Sequence, residues 1–239
     1  MSEIDRPSLG VYDERAKDYA AMNEQSPYNA LYERPAVIEL LGEVAGKHVL
    51  DAGCGSGPLA QWLVENGASV VGVDVSEAML EIARERGLSN ATFHVADLGK
   101  PLGLLANDSF QMAVSSLVLH YLRDWEVPLS ELHRVLVPGG SLVVSTHHPA
   151  WDIQLSTTGS YFDTELLSDR WPMGEHEVDV RFWRRPLTGM FAAFAAAGFA
   201  VETMKEPMPL DECRTRFPDE WEFLTTQPNF VFFRLKAIG

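Results

Sequence analysis

The sequence is poor in cysteine, poor in cations and free of long apolar runs. Cys54 and Cys213 are its only cysteines in 239 residues, so a disulfide framework is excluded and a reducing compartment is the expected setting. No apolar stretch approaches the roughly 20 residues that cross a bilayer. The start, Met1-Ser2-Glu3-Ile4-Asp5-Arg6-Pro7, lacks the basic and apolar regions of a secretory signal. A cytoplasmic protein without a membrane span is the expectation. Lysine and arginine number 19 against 34 acidic residues, a net charge of −15. Such a surface repels phosphate backbones and offers no basic stripe, which argues against a DNA or RNA substrate. Internal repeats and low-complexity tracts are also missing. What remains, 46% hydrophobic and 22% charged, is the composition of an ordinary globular chain with one large core.

Glycine is where the sequence becomes informative. Val49-Leu50-Asp51-Ala52-Gly53-Cys54-Gly55-Ser56-Gly57 reads as an apolar strand entering a tight turn with glycines at alternate positions. Val70-Val71-Gly72-Val73-Asp74 follows as a second strand ending in a carboxylate. Glycines in such a turn let backbone approach a ligand, and the acid after the next strand suits ribose hydroxyls at the carboxyl edge of a parallel sheet. The dinucleotide fingerprint is G-x-G-x-x-G/A. Here the spacing is G-x-G-x-G, with Pro58 where the third small residue would stand. Asp51 lies two residues before the first glycine, where its charge would oppose a pyrophosphate but favour an ammonium and a sulfonium.

At this turn the sequence resembles the class I S-adenosylmethionine-dependent methyltransferases. The companion motifs stand in the family's order: Asp74-Val75-Ser76, then Ala96-Asp97-Leu98, the strand from Phe110 to Ser116, and Leu132-His133-Arg134-Val135-Leu136-Val137-Pro138-Gly139-Gly140-Ser141-Leu142. These motifs span residues 46–146. More weakly, His147-His148-Pro149, Arg184-Arg185-Pro186-Leu187 and Ala196-Ala197-Gly198-Phe199 resemble the ubiquinone/menaquinone-methyltransferase-like, type 11 branch. One departure is Gln111, where the family commonly has Asp; it falls at the start of a strand, away from the expected site.

Strands are expected near 47–52, 69–74, 91–96, 110–116 and 140–146, alternating with helices near 58–66, 76–86 and 126–136, which implies parallel βαβ units. Ser76 is an expected N-cap, and Gly198 the residue just past a helix that starts at Pro186. The resemblance adds a hairpin from 199–203 and 230–236. The expected fold is therefore α/β: a doubly wound, seven-stranded, mostly parallel sheet with one antiparallel edge strand, the Rossmann-like methyltransferase fold. One domain over 1–239 is expected, with 1–45 as a helical lid and 147–185 as an inserted, substrate-side segment. That segment carries Trp151, Tyr161, Phe162, Trp171, Phe182 and Trp183, and shows no clean period before 178–183.

The resemblance implies S-adenosyl-L-methionine as donor and S-adenosyl-L-homocysteine as product. It places Gly53, Gly55 and Gly57 against the methionine portion, with Asp51 shaping the turn. Asp74 would take the ribose hydroxyls, and Asp97 the adenine amine with the Leu98 N–H beside it. Met79 would line the adenine face, and the Ser115 backbone would receive the ammonium. Tyr19 belongs to the expected lid, and the Arg34 guanidinium suits the methionine carboxylate. Methyl transfer is an in-line displacement from an activated donor, so the protein chiefly aligns the acceptor and excludes water. A base is needed only for a protonated acceptor, and His148 and His120 at strand ends are the candidates. No metal site is expected, since the adjacent His147–His148 pair is poor ligand geometry. The expected partner is a small organic acceptor, methylated on O, N or C, bound by a monomer or homodimer. Two rivals remain: a cofactor-binding module without turnover, and a nicotinamide-dependent oxidoreductase.

Overall fold

The computed structural model describes residues 9–173 and 176–239. Two short helices, α1 (Leu9–Glu14) and α2 (Ala16–Gln25), lead through a π-helical turn at Asn29–Glu33 into α3 (Arg34–Leu41). Then β1 (His48–Ala52), α4 (Pro58–Glu65), β2 (Ser69–Asp74), α5 (Glu77–Glu85), β3 (Ala91–Val95), β4 (Phe110–Ser116), α6 (Glu126–Val135) and β5 (Leu136–His147) follow. After α7 (Pro149–Asp152) come β6 (Glu165–Met173), β7 (His176–Arg184), α8 (Leu187–Ala196) and β8 (Phe199–Lys205). The chain closes through α9 (Asp211–Arg216), α10 (Pro218–Thr226) and β9 (Phe230–Ala237).

Seven strands form one sheet in the order β3-β2-β1-β4-β5-β9-β8. The pairs among β1 to β5 are parallel, while β9 runs antiparallel to both β5 and β8. The hairpin thus stands at one edge as expected, with its reversed strand β9 inboard and β8 outermost. Chain order reverses between β1 and β4, and ligands of open α/β sheets bind outside the carboxyl ends at such a switch. At the opposite end, Gln111 Oε1 accepts the His48 N–H at 2.8 Å, so the residue that departs from the family pattern ties β1 to β4 far from that crevice.

Alternation along the strands explains two cores. Successive side chains point to opposite faces, and the pairs Val49/Leu50, Val143/Val144 and Phe232/Phe233 each divide between two clusters. On one face Leu129 and Leu132 of α6 and Met190 and Phe194 of α8 cover Leu50, Val144 and Phe233. On the other, Val37 and Leu41 of α3 and Leu59 and Leu63 of α4 cover Val49, Val143 and Phe232. Each fully buried aliphatic or aromatic side chain stabilises the fold by roughly 1.5–3 kcal/mol.

Two boundaries differ from the sequence reading. Strand β5 begins at Leu136, which pairs with Phe110, and the next partners are Met112 and Ser141, so residues 137–140 bulge out of the ladder. Within 147–185, β6 and β7 form a separate antiparallel ribbon, in register from Glu165↔Arg184 to Met173↔His176. Its own core is Leu167, Val180 and Phe182, with Tyr121 and Trp171 packed against it. Burial alternates along β6, but Glu165 and Asp169 share its inner face with Leu167, Trp171 and Met173, so the sequence shows no clean apolar period. Among the described residues no helix is long and apolar enough to cross a membrane.

Candidate functional site

The three alternate glycines each turn the backbone into the left-handed region, with φ of 85°, 53° and 77° at Gly53, Gly55 and Gly57. Gly53 has a second requirement. A Cβ there would lie 2.2 Å from Val118 Cγ2, so the loop after β4 sits directly against the loop after β1. Gly57 caps α4, and Pro58 opens it at a position where no N–H is needed, which is why proline can replace the third small residue. Asp74 is held from two sides: its Oδ2 accepts the Gly55 N–H at 2.8 Å and its Oδ1 the Ser76 N–H at 2.9 Å. Ser76 in turn caps α5 by accepting the Met79 N–H at 3.2 Å. That single cap fixes both the acid and the apolar Met79 beside it.

These loops enclose a cavity of about 150 Å³ at the carboxyl ends of β1, β2 and β4. Its floor and sides are Gly53, Gly55, Asp74, Met79, Asp97 and Leu98. Ser116, Leu117 and Val118 form the wall after β4, and Tyr12, Tyr19 and Tyr121 close it over. Tyr12 and Tyr19 meet edge to face with centroids 4.8 Å apart, and the Tyr12 and Tyr121 hydroxyls are hydrogen-bonded across the opening. Burial pushes the phenols of Tyr12, Tyr19 and Tyr121 up, so at neutral pH they are neutral donors and no base. Tyr121 has a further task, since it also packs on the β6–β7 ribbon core.

The charge beneath the cavity is negative. Asp51 is 1% exposed, and burial together with the Asp74 and Glu33 carboxylates pushes it up to about 7. Its Oδ2 has no hydrogen-bond partner among the described residues. Burial likewise raises the Asp74 carboxyl, against the backbone N–H groups of Ser76 and Gly55. Asp97 Oδ1 accepts the Gly99 N–H at 3.0 Å, and Lys100 Nζ lies 3.4 Å from Oδ2. Acids around glycine-lined backbone, with apolar Met79 and Leu122 beside them, fit a cationic nucleoside and would repel a pyrophosphate.

Comparison with known proteins agrees. A methyltransferase-domain family matches residues 50–144, the span from β1 to β5. A solved S-adenosylmethionine-dependent methyltransferase of Mesorhizobium loti is 29% identical, with 90% of this chain and 99% of that one aligned at a TM-score of 0.70. A Listeria monocytogenes structure described as a putative methyltransferase of the same kind shares the fold at a TM-score of 0.74 and 23% identity, covering 87% and 97% of the two chains. A ubiquinone biosynthesis O-methyltransferase of Coxiella burnetii is 29% identical over 182 residues, 73% of this chain and 74% of the relative. These similarities support a class I S-adenosylmethionine-dependent methyltransferase of the type 11 branch. Its donor is S-adenosylmethionine and its product S-adenosylhomocysteine.

In this methyltransferase the cavity gathers Tyr19, Gly53, Gly55, Asp74, Met79, Asp97 and Leu98 from the residues singled out in the sequence. Asp51, Gly57, Ser115 and Arg34 are not in the lining. Asp51 and Ser115 lie buried behind it, and Gly57 faces Ala83 of α5. The Arg34 fork is engaged elsewhere, with Nη2 donating to Asn23 Oδ1 at 2.6 Å and Nη1 3.8 Å from Glu24. Neither histidine lines the cavity. His120 is 2% exposed behind Tyr121, its ring 4.3 Å from that of His147. His148 caps α7: its Nδ1 accepts the Ala150 N–H at 3.1 Å, and its Nε2 lies 3.0 Å from Glu206. Tyr12, which with Tyr19 belongs to the expected lid, lines the cavity too, and Tyr121 is the addition that the sequence reading did not assign to the site.

Proposed function

We propose that the cavity between the glycine turn, Asp74 and Asp97 is the donor site, and that methyl transfer goes to a small organic molecule entering beside Tyr121. The supporting observation is the lining: Tyr12, Tyr19 and Tyr121 stand beside the acids of a small, mostly apolar cavity, which suits a small organic ligand. The acidic surface, with 34 acidic against 19 basic residues, supports the same reading. Of the expected lid over 1–45, residues 9–45 act as that lid, residues 1–8 lying outside the described residues, and 147–185, apart from 174–175, is the acceptor-side segment of one domain. The donor, when bound, supplies a methyl group already activated for displacement. The residues then have three tasks. Asp74 accepts the ribose hydroxyls, Asp97 with the Leu98 N–H holds the adenine edge, and the tyrosine roof keeps water out. With the phenols neutral and His120 and His148 outside the cavity lining, a protonated acceptor would release its proton to a group it carries or to water at the cavity mouth.

The Coxiella relative is named for O-methylation in ubiquinone biosynthesis, which makes a hydroxyl the first acceptor to assay. The test is a panel of phenols, amines and activated carbon acids incubated with methyl-labelled donor. Transfer to a small hydroxyl compound is the expected outcome. Tight donor binding with no transfer to any acceptor would favour a binding module. The donor-site assignment is tested separately: Asp74→Ala should weaken S-adenosylhomocysteine binding at least tenfold, roughly the loss of a buried charge-assisted hydrogen bond, and wild-type affinity would remove Asp74 from the site.

A further inference from the structure

Glu33 is a buried carboxylate to which the sequence reading gave no role. It ends the π-helical turn Asn29–Glu33, where the Arg34 N–H reaches back five residues to the Asn29 carbonyl. Leu31, Tyr32 and Glu33 are all buried in succession, which one face of a regular α-helix does not allow. The wide turn rotates Glu33 inward as well, and π-turns of this kind gather at functional sites. Inside, Glu33 Oε1 accepts two hydroxyls, from Ser116 at 2.7 Å and from Ser145 at 2.5 Å. These serines face each other across the β4–β5 ladder.

The chain of contacts continues into the cavity wall. Ser145 Oγ, while donating to Glu33, accepts the Leu117 N–H at 3.0 Å, a donor it shares with the Ser145 carbonyl at 3.1 Å. Leu117 has φ +52°, one of two non-glycine residues in the left-handed region among those described. A branched aliphatic side chain in that region is strained by roughly 1–3 kcal/mol and persists only where its surroundings hold it. The next residue, Val118, is the one packed against Gly53. Ser116, Leu117 and Val118 together are the cavity wall after β4.

We propose that Glu33 is a positioning residue for donor binding: through the Ser116 and Ser145 hydroxyls it fixes the Ser116–Leu117–Val118 turn in the conformation that shapes the cavity. This rests on the reading of that cavity as the donor site. The role asks for an acceptor oxygen at one place and does not need its charge, because both hydroxyls converge on Oε1. Gln can supply that oxygen and Ala cannot.

The experiment measures S-adenosylhomocysteine affinity by calorimetry for E33A, E33Q and, as a control, D74A, each confirmed folded by circular dichroism well below its melting temperature. The expected result is that E33A binds about tenfold more weakly and E33Q within about threefold of wild type, the spread for one buried acceptor lost or kept. Wild-type affinity in E33A overturns the proposal, and so does an equal loss in E33Q and E33A, which would make charge the operative property. If E33A does not fold, the S116A/S145A double variant decides by the same tenfold criterion. A D74A protein with undiminished affinity would instead sink the donor-site reading, a failure distinguishable from that of Glu33.

Discussion

Replacing Gly53 by alanine tests the contact on which the cavity depends. Two costs apply, and they can be separated. The backbone at Gly53 has φ +85°, and an L-residue held in the left-handed region costs about 1–2 kcal/mol. The new Cβ would also stand 2.2 Å from Val118 Cγ2 and 2.9 Å from Cγ1, so the wall after β4 must shift. Forcing a methyl group into a packed site costs about 1–3 kcal/mol. The sum is about 2–5 kcal/mol, or roughly 5–15 °C in melting temperature for a chain of this length. Gly87 is the control, with φ +65° and nothing within 4 Å of its Cβ position, so Gly87→Ala carries the backbone cost alone. Val118→Ala is the second control, because it removes both Cγ atoms and should bring the cost of Gly53→Ala down towards that of Gly87→Ala. Urea unfolding of the wild type, the three single variants and the Gly53→Ala/Val118→Ala double variant gives all the differences needed. If Gly53→Ala costs no more than Gly87→Ala, or costs the same in both Val118 backgrounds, the two loops do not interlock as described.

Two further outcomes follow from the charges around the cavity. Asp51 is raised to about 7 by burial and by Asp74 and Glu33. Between an ordinary carboxyl value near 4 and pH 7, the unfolded chain gives up a proton that the folded chain keeps, so Asp51 makes stability fall as pH rises through that window. A cationic donor favours the ionised form, so S-adenosylmethionine should bind more tightly at pH 8 than at pH 6, and an equally steep profile in Asp51→Asn would refute the linkage. On the lid, Glu24 of α2 pairs with Arg86, whose Nε donates to the Ser56 carbonyl of the glycine turn at 2.5 Å, and lies 3.8 Å from Arg34. Glu24→Ala should cost less than about 1 kcal/mol of stability, since the pair is part-exposed, yet release S-adenosylhomocysteine faster in stopped flow; an unchanged release rate would detach α2 from lid function.

The glycine turn and the acid after β2 were legible because their backbone geometry demands particular residues. Glycines are needed at the three left-handed positions 53, 55 and 57, and an acid ends β2 where its oxygens meet the Gly55 and Ser76 N–H groups. Apolar strands buried on both faces leave little ambiguity about β1, β4 and β5, and their order along the chain fixes the switch point. The β6 strand lacked such a signature. Its partner is a single strand, it buries three residues of nine, and Pro172 sits inside it, which a two-stranded ribbon tolerates and a central strand would not.

Arg34 and Glu33 show how local reading fails at a π-turn. A regular helix would place Glu33 on the solvent side of the Leu31–Tyr32 face and leave Arg34 free to reach a ligand carboxylate. In the wide turn Glu33 meets Ser116 and Ser145, and the largely buried Arg34 is held against α2 by Asn23 and Glu24. The turn has no residue signature, because its cause is tertiary. Tyr32 stacks on Phe230 with centroids 5.7 Å apart, and Leu31 and Tyr32 join the same core as α3 and α4, with partners such as Phe230 far away along the chain. Ser116 and Ser145 are 29 positions apart and become neighbours only when β4 and β5 pair. A buried acid beneath strands four and five is therefore a product of three independent pieces of chain, each unremarkable alone, and its effect on the donor wall is open to substitution at any one of them.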